Sequence, residues 1–348
     1  MDTIGLKFVI NDFGGEYKDV ENFEILTDRL RKIKYCSRFR ESDSEVKFIL
    51  SYPRYFSQTN AFLIKSSEEC LEVNYNFILD ITDNQDDNFI NWFHKKIDIY
   101  LIRVDIPFTY LMEDYENFSD YKNIFKIFSN IFREKNKTGK SKVVSNFDSK
   151  KIETLSINKA NTKSQGNSGI TIYNQNAKIE DIYPSVYKRV IKDYPDLKRR
   201  IRIELFKRIN RKSFTPEEFM KFNIYRHYIS LFVDDLLDNL FDEYILDEIY
   251  NEKIETLVEL LLQVNKMGRI NYQNFIIKYI DEIWDYEIIR KALRKAINND
   301  NSYYQACKKV KRILENEEDV TGVKYFGIRR IIESMKRMLI NVKRKVER

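Results

Sequence analysis

Tyr173, Glu204 and Asp105 are the residues of this 348-residue chain whose settings best suit chemistry on a phosphodiester. Each falls in a short run that alternates apolar and polar side chains, so each is expected on a strand with opposite faces of opposite character. In Gly169-Ile-Thr-Ile-Tyr173, Ile170 and Ile172 face a core while Thr171 and Tyr173 face away, which predicts an accessible phenol. Ile201, Ile203 and Leu205 oppose Arg200, Arg202 and Glu204; Tyr100, Ile102, Val104 and Ile106 oppose Arg103 and Asp105. If these strands share a sheet, Asp105, Glu204, Arg103, Arg202 and Tyr173 project from one surface. Such a surface could hold Mg²⁺ or Mn²⁺ between the carboxylates, because these hard cations prefer oxygen ligands. The cation would polarise a phosphate and a basic side chain would stabilise the same oxyanion. Attack by the phenol would leave a covalent phosphotyrosine and a free 3′ hydroxyl. Lys178 joins Tyr173 and Arg202 as an expected catalytic residue, and Glu180 joins Asp105 and Glu204 as an expected metal ligand. The plainer alternative is that Tyr173 packs, as most of the 23 tyrosines must, and that the carboxylates pair with Arg103 and Arg202 as salt bridges across a sheet.

The elements that must position these residues can be read from periodicity. Alternating runs at 3–10, 46–52, 71–79 and 99–106 predict strands. Helical spacing covers Val20 to Ile33 and Asn88 to Ile97, and Tyr115 to Phe132 sets Phe118, Tyr121, Phe125, Phe128 and Phe132 on one stripe. Arg133 to Lys150 reads as an exposed loop or hairpin, and Asn158 to Ser168 as a second polar loop. Beyond about Arg211 amphipathic helices take over, at roughly 215–243, 246–265, 271–280, 285–298, 301–316 and 325–345. Thr215-Pro-Glu-Glu218 is a helix start and Gly268 a helix end. The expectation is an α+β fold: a mixed α/β domain with a central antiparallel sheet over 1–211, then an all-α domain over 212–348.

Composition narrows the class. The 43% hydrophobic content is enough for folded cores. Cys36, Cys70 and Cys307 form no metal spacing, and with only His94 and His227 there is no zinc pattern. Neither secretion nor membrane insertion is expected, and reduced thiols suit a cytoplasmic location. The net charge of +6 is uneven: residues 1–150 carry 22 Lys and Arg against 25 Asp and Glu, residues 151–348 carry 38 against 29. Basic side chains concentrate at 188–212 and 324–348, separated by an acidic stretch at 234–259. This suggests a surface oriented toward a polyanion, or else an ordinary solvated surface.

Several motifs carry a resemblance: Met-Asp2-Thr-Ile-Gly-Leu-Lys7, Leu50-Ser-Tyr-Pro-Arg-Tyr-Phe56 with Asn60, Arg103-Val-Asp105, Thr171-Ile-Tyr-Asn174 and Arg202-Ile-Glu204. Together they resemble the rolling-circle replication initiators of small plasmids and filamentous phages, over roughly residues 1–210. The resemblance implies that Tyr173 is the nicking nucleophile and that Asp105 and Glu204 are metal ligands. Gln175 stands where that family's pattern has lysine, and the His-hydrophobe-His motif of other rolling-circle initiators is missing. The function expected is origin binding and nicking of one strand; the alternative is a non-catalytic DNA-binding replication or partition protein. Expected partners are double-stranded and single-stranded origin DNA, with a host helicase or a second copy of the chain (a homodimer) as further candidates and no membrane. Expected DNA contacts are Arg103, Lys188, Arg189, Lys198, Arg199 and Arg200, and, from a helix-turn-helix-like segment at Ser302 to Leu339, Lys324, Arg329, Arg330, Lys336 and Arg337.

Overall fold

A computed structural model describes residues 2–113, 121–136, 141–146, 154–161, 164–279, 282–316 and 327–347. The fold is α+β, with eight strands in one antiparallel sheet of order β2-β3-β1-β4-β8-β7-β6-β5. In chain order the elements are β1 (Thr3–Ile10), α1 (Tyr17–Lys32), β2 (Cys36–Glu41), β3 (Glu45–Ser51), α2 (Tyr52–Phe56), α3 (Ser67–Thr82), α4 (Asp87–Lys96) and β4 (Ile97–Leu111). They continue with α5 (Tyr121–Lys135), β5 (Ser141–Asn146), β6 (Thr154–Asn161), β7 (Ser164–Asn174), α6 (Gln175–Ile182), α7 (Tyr187–Asp193), a 3₁₀ turn (Pro195–Arg199) and β8 (Arg200–Phe214). Helices follow: α8 (Pro216–Lys221), α9 (Ile224–Leu240), α10 (Glu243–Met267), α11 (Tyr272–Lys278), α12 (Tyr286–Ala296), α13 (Asp300–Asn316) and α14 (Ile328–Glu347).

Two compact units divide the chain: 1–113 with 139–234 and 343–348, and 114–138 with 235–342. The first holds the sheet. The second gathers α5 with the C-terminal helices, so these bounds are interleaved, whereas the sequence suggested one boundary after 211.

The alternation of β1 does what it predicts: Ile4, Leu6 and Phe8 are fully buried. Phe8 lies edge-on to Phe48 at 5.2 Å, and Phe77 of α3 and Phe93 of α4 close over Phe8 at 6.1 and 6.2 Å. Gly5 sits at a bulge in the β1–β4 pairing, where a Cβ would lie 2.9 Å from the Arg103 Cβ. Gly5→Ala should therefore lower stability by about 1–3 kcal/mol in urea denaturation, the usual cost of overpacking.

The run at 71–79, expected as a strand, is part of α3. A capping box between Ser66 and Glu69 fixes the helix start, and Cys70, Val73, Asn74, Phe77, Ile78 and Ile81 are buried at helical spacing. Its β-branched and aromatic content mimics a strand, but the cap and the three-to-four spacing decide. β2 was not anticipated, because its Ser37, Arg38, Arg40 and Glu41 give it no apolar alternation. The polar stretch at Asn158–Ser168 is mostly strand: β6 runs to Asn161 and β7 begins at Ser164, with those two residues paired. Backbone pairing forms this ladder without an apolar signal. Arg133–Lys135 completes α5 and Ser141–Asn146 forms β5; Phe118 and the Thr321-Gly322 break lie outside the described residues.

The predicted 215–243 helix is two helices, because Asn223 caps α9 by accepting the Arg226 N–H at 2.9 Å. Thr215 and Glu218 form the expected capping box, and Gly268 ends α10 at φ 141°. In the second unit, Tyr121, Phe125, Phe128 and Phe132 are all fully buried. Cys36, Cys70 and Cys307 are free and buried. Among the described residues no helix is long and apolar enough to cross a membrane.

Candidate functional site

The strands β1, β4, β8 and β7 are consecutive neighbours, and their shared face carries the predicted residues. Tyr173 is the register partner of Arg202, Thr171 of Glu204, Pro107 of Glu204, and Thr3 of Asp105. Period-two alternation then places Tyr173, Arg202, Glu204, Asp105 and Thr3 on one surface. They surround or back a cleft of about 370 Å³ that is also lined by Asp2, Arg54, Asn60, Gln175 and Lys178. A small apolar cluster of Ala61, Ile179, Val190 and Leu197 ties α6, α7 and the 3₁₀ turn together beside it.

The polar groups form a connected network. The Tyr173 hydroxyl donates to Glu204 Oε1. Arg202 places Nε 3.2 Å from the same carboxylate and Nη2 3.3 Å from Asp2 Oδ1. The Lys178 ammonium sits 3.8 Å from Glu204 Oε2 and 3.8 Å from the Tyr173 ring centroid. Arg103 binds Asp105 through two hydrogen bonds, at 2.6 and 2.8 Å, and Thr3 Oγ1 donates to Asp105 Oδ2 at 2.9 Å. Bidentate arginine pairs of this kind hold geometry as well as charge.

Burial sets the electrostatics. Asp2 is pushed up to about 6, by burial first and against the pull of Arg202. Asp105 is raised because burial outweighs its pairing with Arg103. The Tyr173 phenol is raised well above its ordinary value, first by burial and then by the Glu204 charge. Burial works to lower Arg202, but Asp2, Tyr173 and Glu204 outweigh it and the guanidinium is held more firmly charged.

Two expectations are corrected. Tyr173 is 2% exposed rather than accessible, because α6 follows it directly and lays Lys178 and Ile179 over the cleft. Arg200 is not a DNA contact: it is 3% exposed, grips Asp196 at 2.8 and 2.9 Å, and donates to the Ala61 carbonyl at 2.6 Å. Alternation places it on the polar face, but the segment around Ala61 covers that end.

Glu180 is exposed on α6 and does not line the cleft; Asp2 occupies the place of a third carboxylate. As a test of the expected Mg²⁺ or Mn²⁺, the donor set as arranged does not fit. Asp105 presents its oxygens to Arg103 and Thr3, and Glu204 to Tyr173, Arg202 and Lys178. Among the described residues no group of three or more His, Cys, Asp and Glu is placed to hold a metal.

The expected DNA contacts separate into groups. Lys188, Arg189, Lys198 and Arg199 are exposed in the first unit, although Arg189 donates to Gln58 at 2.5 Å and Arg199 to the Met112 carbonyl at 2.6 Å. Arg103 faces the cleft, paired to Asp105. In the second unit Arg330 is exposed, Arg337 donates to Ser334 at 3.2 Å, and Arg329 and Lys336 pair with Asp247 and Glu243 at the start of α10. The acidic stretch thus neutralises part of the basic C-terminal helix. Lys324 lies outside the described residues.

Asp2, Arg54, Asn60 and Gln175 were not anticipated as site residues. Parity in β1 groups Asp2 with Ile4 and Leu6, so alternation hides it. Gln175 donates to the Asn60 carbonyl at 2.7 Å, and Arg202 donates to the same carbonyl at 3.3 Å. No family model, curated protein or solved structure matches the chain.

Proposed function

We propose that the chain is a DNA strand-nicking and joining protein of the replication-initiator type, with Tyr173 as nucleophile. The observation that carries this reading is the hydrogen bond from Tyr173 to Glu204 beside Arg202 and Lys178, at the floor of a cleft. A phenol is a weak nucleophile until its proton has an acceptor, and Glu204 is in place to take it. The Tyr173 oxygen attacks phosphorus, its proton passes to Glu204, and the bond to the departing 3′ oxygen breaks as that oxygen takes a proton from water. Lys178 faces the charge that develops on the phosphoryl oxygens, and Arg202 holds Glu204 in position.

A labelled single-stranded oligonucleotide pool, incubated with the full chain and separated under denaturing conditions, tests this. A covalent adduct should form at Tyr173 and vanish in Tyr173→Phe. Equal adducts from both chains would remove Tyr173 from the role. The reaction run with Mn²⁺ and with EDTA measures metal dependence, which would require the carboxylates to release their arginines.

The second reading is a non-catalytic DNA-binding protein, favoured by one observation: Tyr173 and Arg202, at 2% and 1% exposure, are as buried as core side chains. Salt-dependent DNA binding with no adduct from either chain is the result it expects.

A further inference from the structure

We propose that single-stranded DNA reaches the Tyr173 cleft along a basic, aromatic groove of the first unit, passing Lys32, Lys34 and Tyr55 and then Arg54 and Arg38. The inference rests on the nucleic-acid reading above, though not on cleavage. Its first support is continuity. A concavity of about 560 Å³ is lined by Lys32, Lys34, Tyr35, Tyr55 and Phe56, and Arg54 lines both it and the cleft.

Charge supplies the second. The cleft gathers Asp2, Asp105 and Glu204, and these are matched by Arg103, Arg202 and Lys178. Arg38 and Arg54 also line it, and neither has a carboxylate partner among the described residues. Arg54 donates to the Tyr183 hydroxyl at 2.7 Å, while its Nε is buried without a hydrogen-bond acceptor. In the groove, Arg29 is used on the carbonyls of Asp80, Ile81 and Asp83. Lys32 and Lys34 are exposed and make no ion pair with a described residue, against the two acids Asp80 and Asp83, of which Asp80 accepts from Tyr35. The uncompensated charge is positive in both concavities, and Arg54 is common to the two, as a bound phosphate backbone running from one to the other requires.

The backbone at Arg38 is the third observation. Its φ of 59° is in the left-handed region, at a bulge in the β2–β3 pairing between Ser37 and Arg40. A side chain with a Cβ adopts that conformation at a cost, and bulges re-aim side chains. Here the redirected group is an arginine lining the cleft.

The fourth concerns bases. Tyr35, Tyr55, Phe56 and Phe62 form a ladder with centroid separations of 5.3, 4.9 and 4.6 Å, and the last three are half-buried, leaving edges and faces on which unpaired bases can stack. Inside the cleft, Gln175 is 1% exposed and its Oε1 has no partner; its orientation is fixed because Nε2 donates to Asn60. That acceptor suits an exocyclic base N–H. Stacking on a base face requires an unpaired strand, which is why a duplex is not the occupant proposed.

The test uses the full chain carrying Tyr173→Phe, so that nothing is cut, and a fluorescein-labelled 20-nucleotide single strand of mixed sequence read by anisotropy at several salt concentrations. The Lys32→Glu/Lys34→Glu pair should weaken binding at least about tenfold and reduce the salt slope by about 1.4, the value for two lost single-strand phosphate contacts. Arg38→Gly should weaken binding several-fold while leaving the melting temperature unchanged or higher, since glycine accepts the left-handed backbone. Lys18→Glu/Lys95→Glu, exposed and lining neither the groove nor the cleft, should stay within about twofold, and Lys188→Glu/Lys198→Glu tests the rival path over α7 and the 3₁₀ turn. If the chain binds but Lys188 and Lys198 matter more than the groove, the path is wrong and the nucleic-acid reading survives. No binding even at low salt would overturn both.

Discussion

Arg202→Ala should cost the fold about 3–5 kcal/mol, as much as truncating a buried aromatic of the core. The guanidinium is 1% exposed and faces two carboxylates, Asp2 at 3.3 Å and Glu204 at 3.2 Å, besides the Asn60 carbonyl. Its removal strands buried negative charge in a low-dielectric interior, and that penalty exceeds the net contribution of the pairs themselves. The loss should depend on pH in a definite sense. A buried carboxyl raised to about 6 binds its proton more readily folded than unfolded, where the value is about 4, so stability falls as pH rises through that window. Without Arg202 the carboxyl rises further, and the window extends upward. The variant should therefore be closest to the natural chain near pH 5 and furthest from it near pH 8, in urea titrations at both. A loss that is flat across this range would mean that Asp2 does not depend on Arg202.

Glu204→Gln should reduce adduct formation by about 10²–10⁴-fold, the usual contribution of a positioned general base, and leave single-strand affinity within a few-fold. The amide keeps the shape and can still accept from Tyr173, but it cannot take a proton at any working pH. Lys178 loses its ion-pair partner at 3.8 Å, whereas Arg202 retains Asp2, so folding should be disturbed far less than by Arg202→Ala. Equal adduct yields from the natural chain and Glu204→Gln would show that the proton leaves by another route, whatever the nucleophile.

Much of this site could be read in the sequence because strands write their faces in alternate letters. Tyr173, Glu204, Arg202 and Asp105 share a surface once β4, β8 and β7 are neighbours, and antiparallel pairing makes them so. What could not be read came from chain segments that alternation does not govern. Asp2 lies just ahead of its strand, Asn60 in a loop, and Gln175 at the first turn of a helix; only tertiary packing brings them to the cleft. The same limit explains Tyr173, whose exposure was decided by the helix after it rather than by its own strand. The α3 run has the residue types of a strand, but the cap at Ser66 and the three-to-four spacing of its buried side chains make it a helix.

The interleaving of the two units has a practical meaning for anyone who would dissect the protein. α5 is encoded between two strands of the sheet, yet its Phe128 stacks edge-on against Phe241 at 5.0 Å and its Lys135 holds Asp238 and Asp242. A truncation after residue 211 or 234 would keep this greasy helix while discarding the residues that shield it, and the product should aggregate. A workable sheet-only fragment would need an internal excision of 114–138 bridged by a short linker, together with loss of 235–342. On a ribosome, likewise, α5 must wait for more than a hundred further residues before its own partners exist.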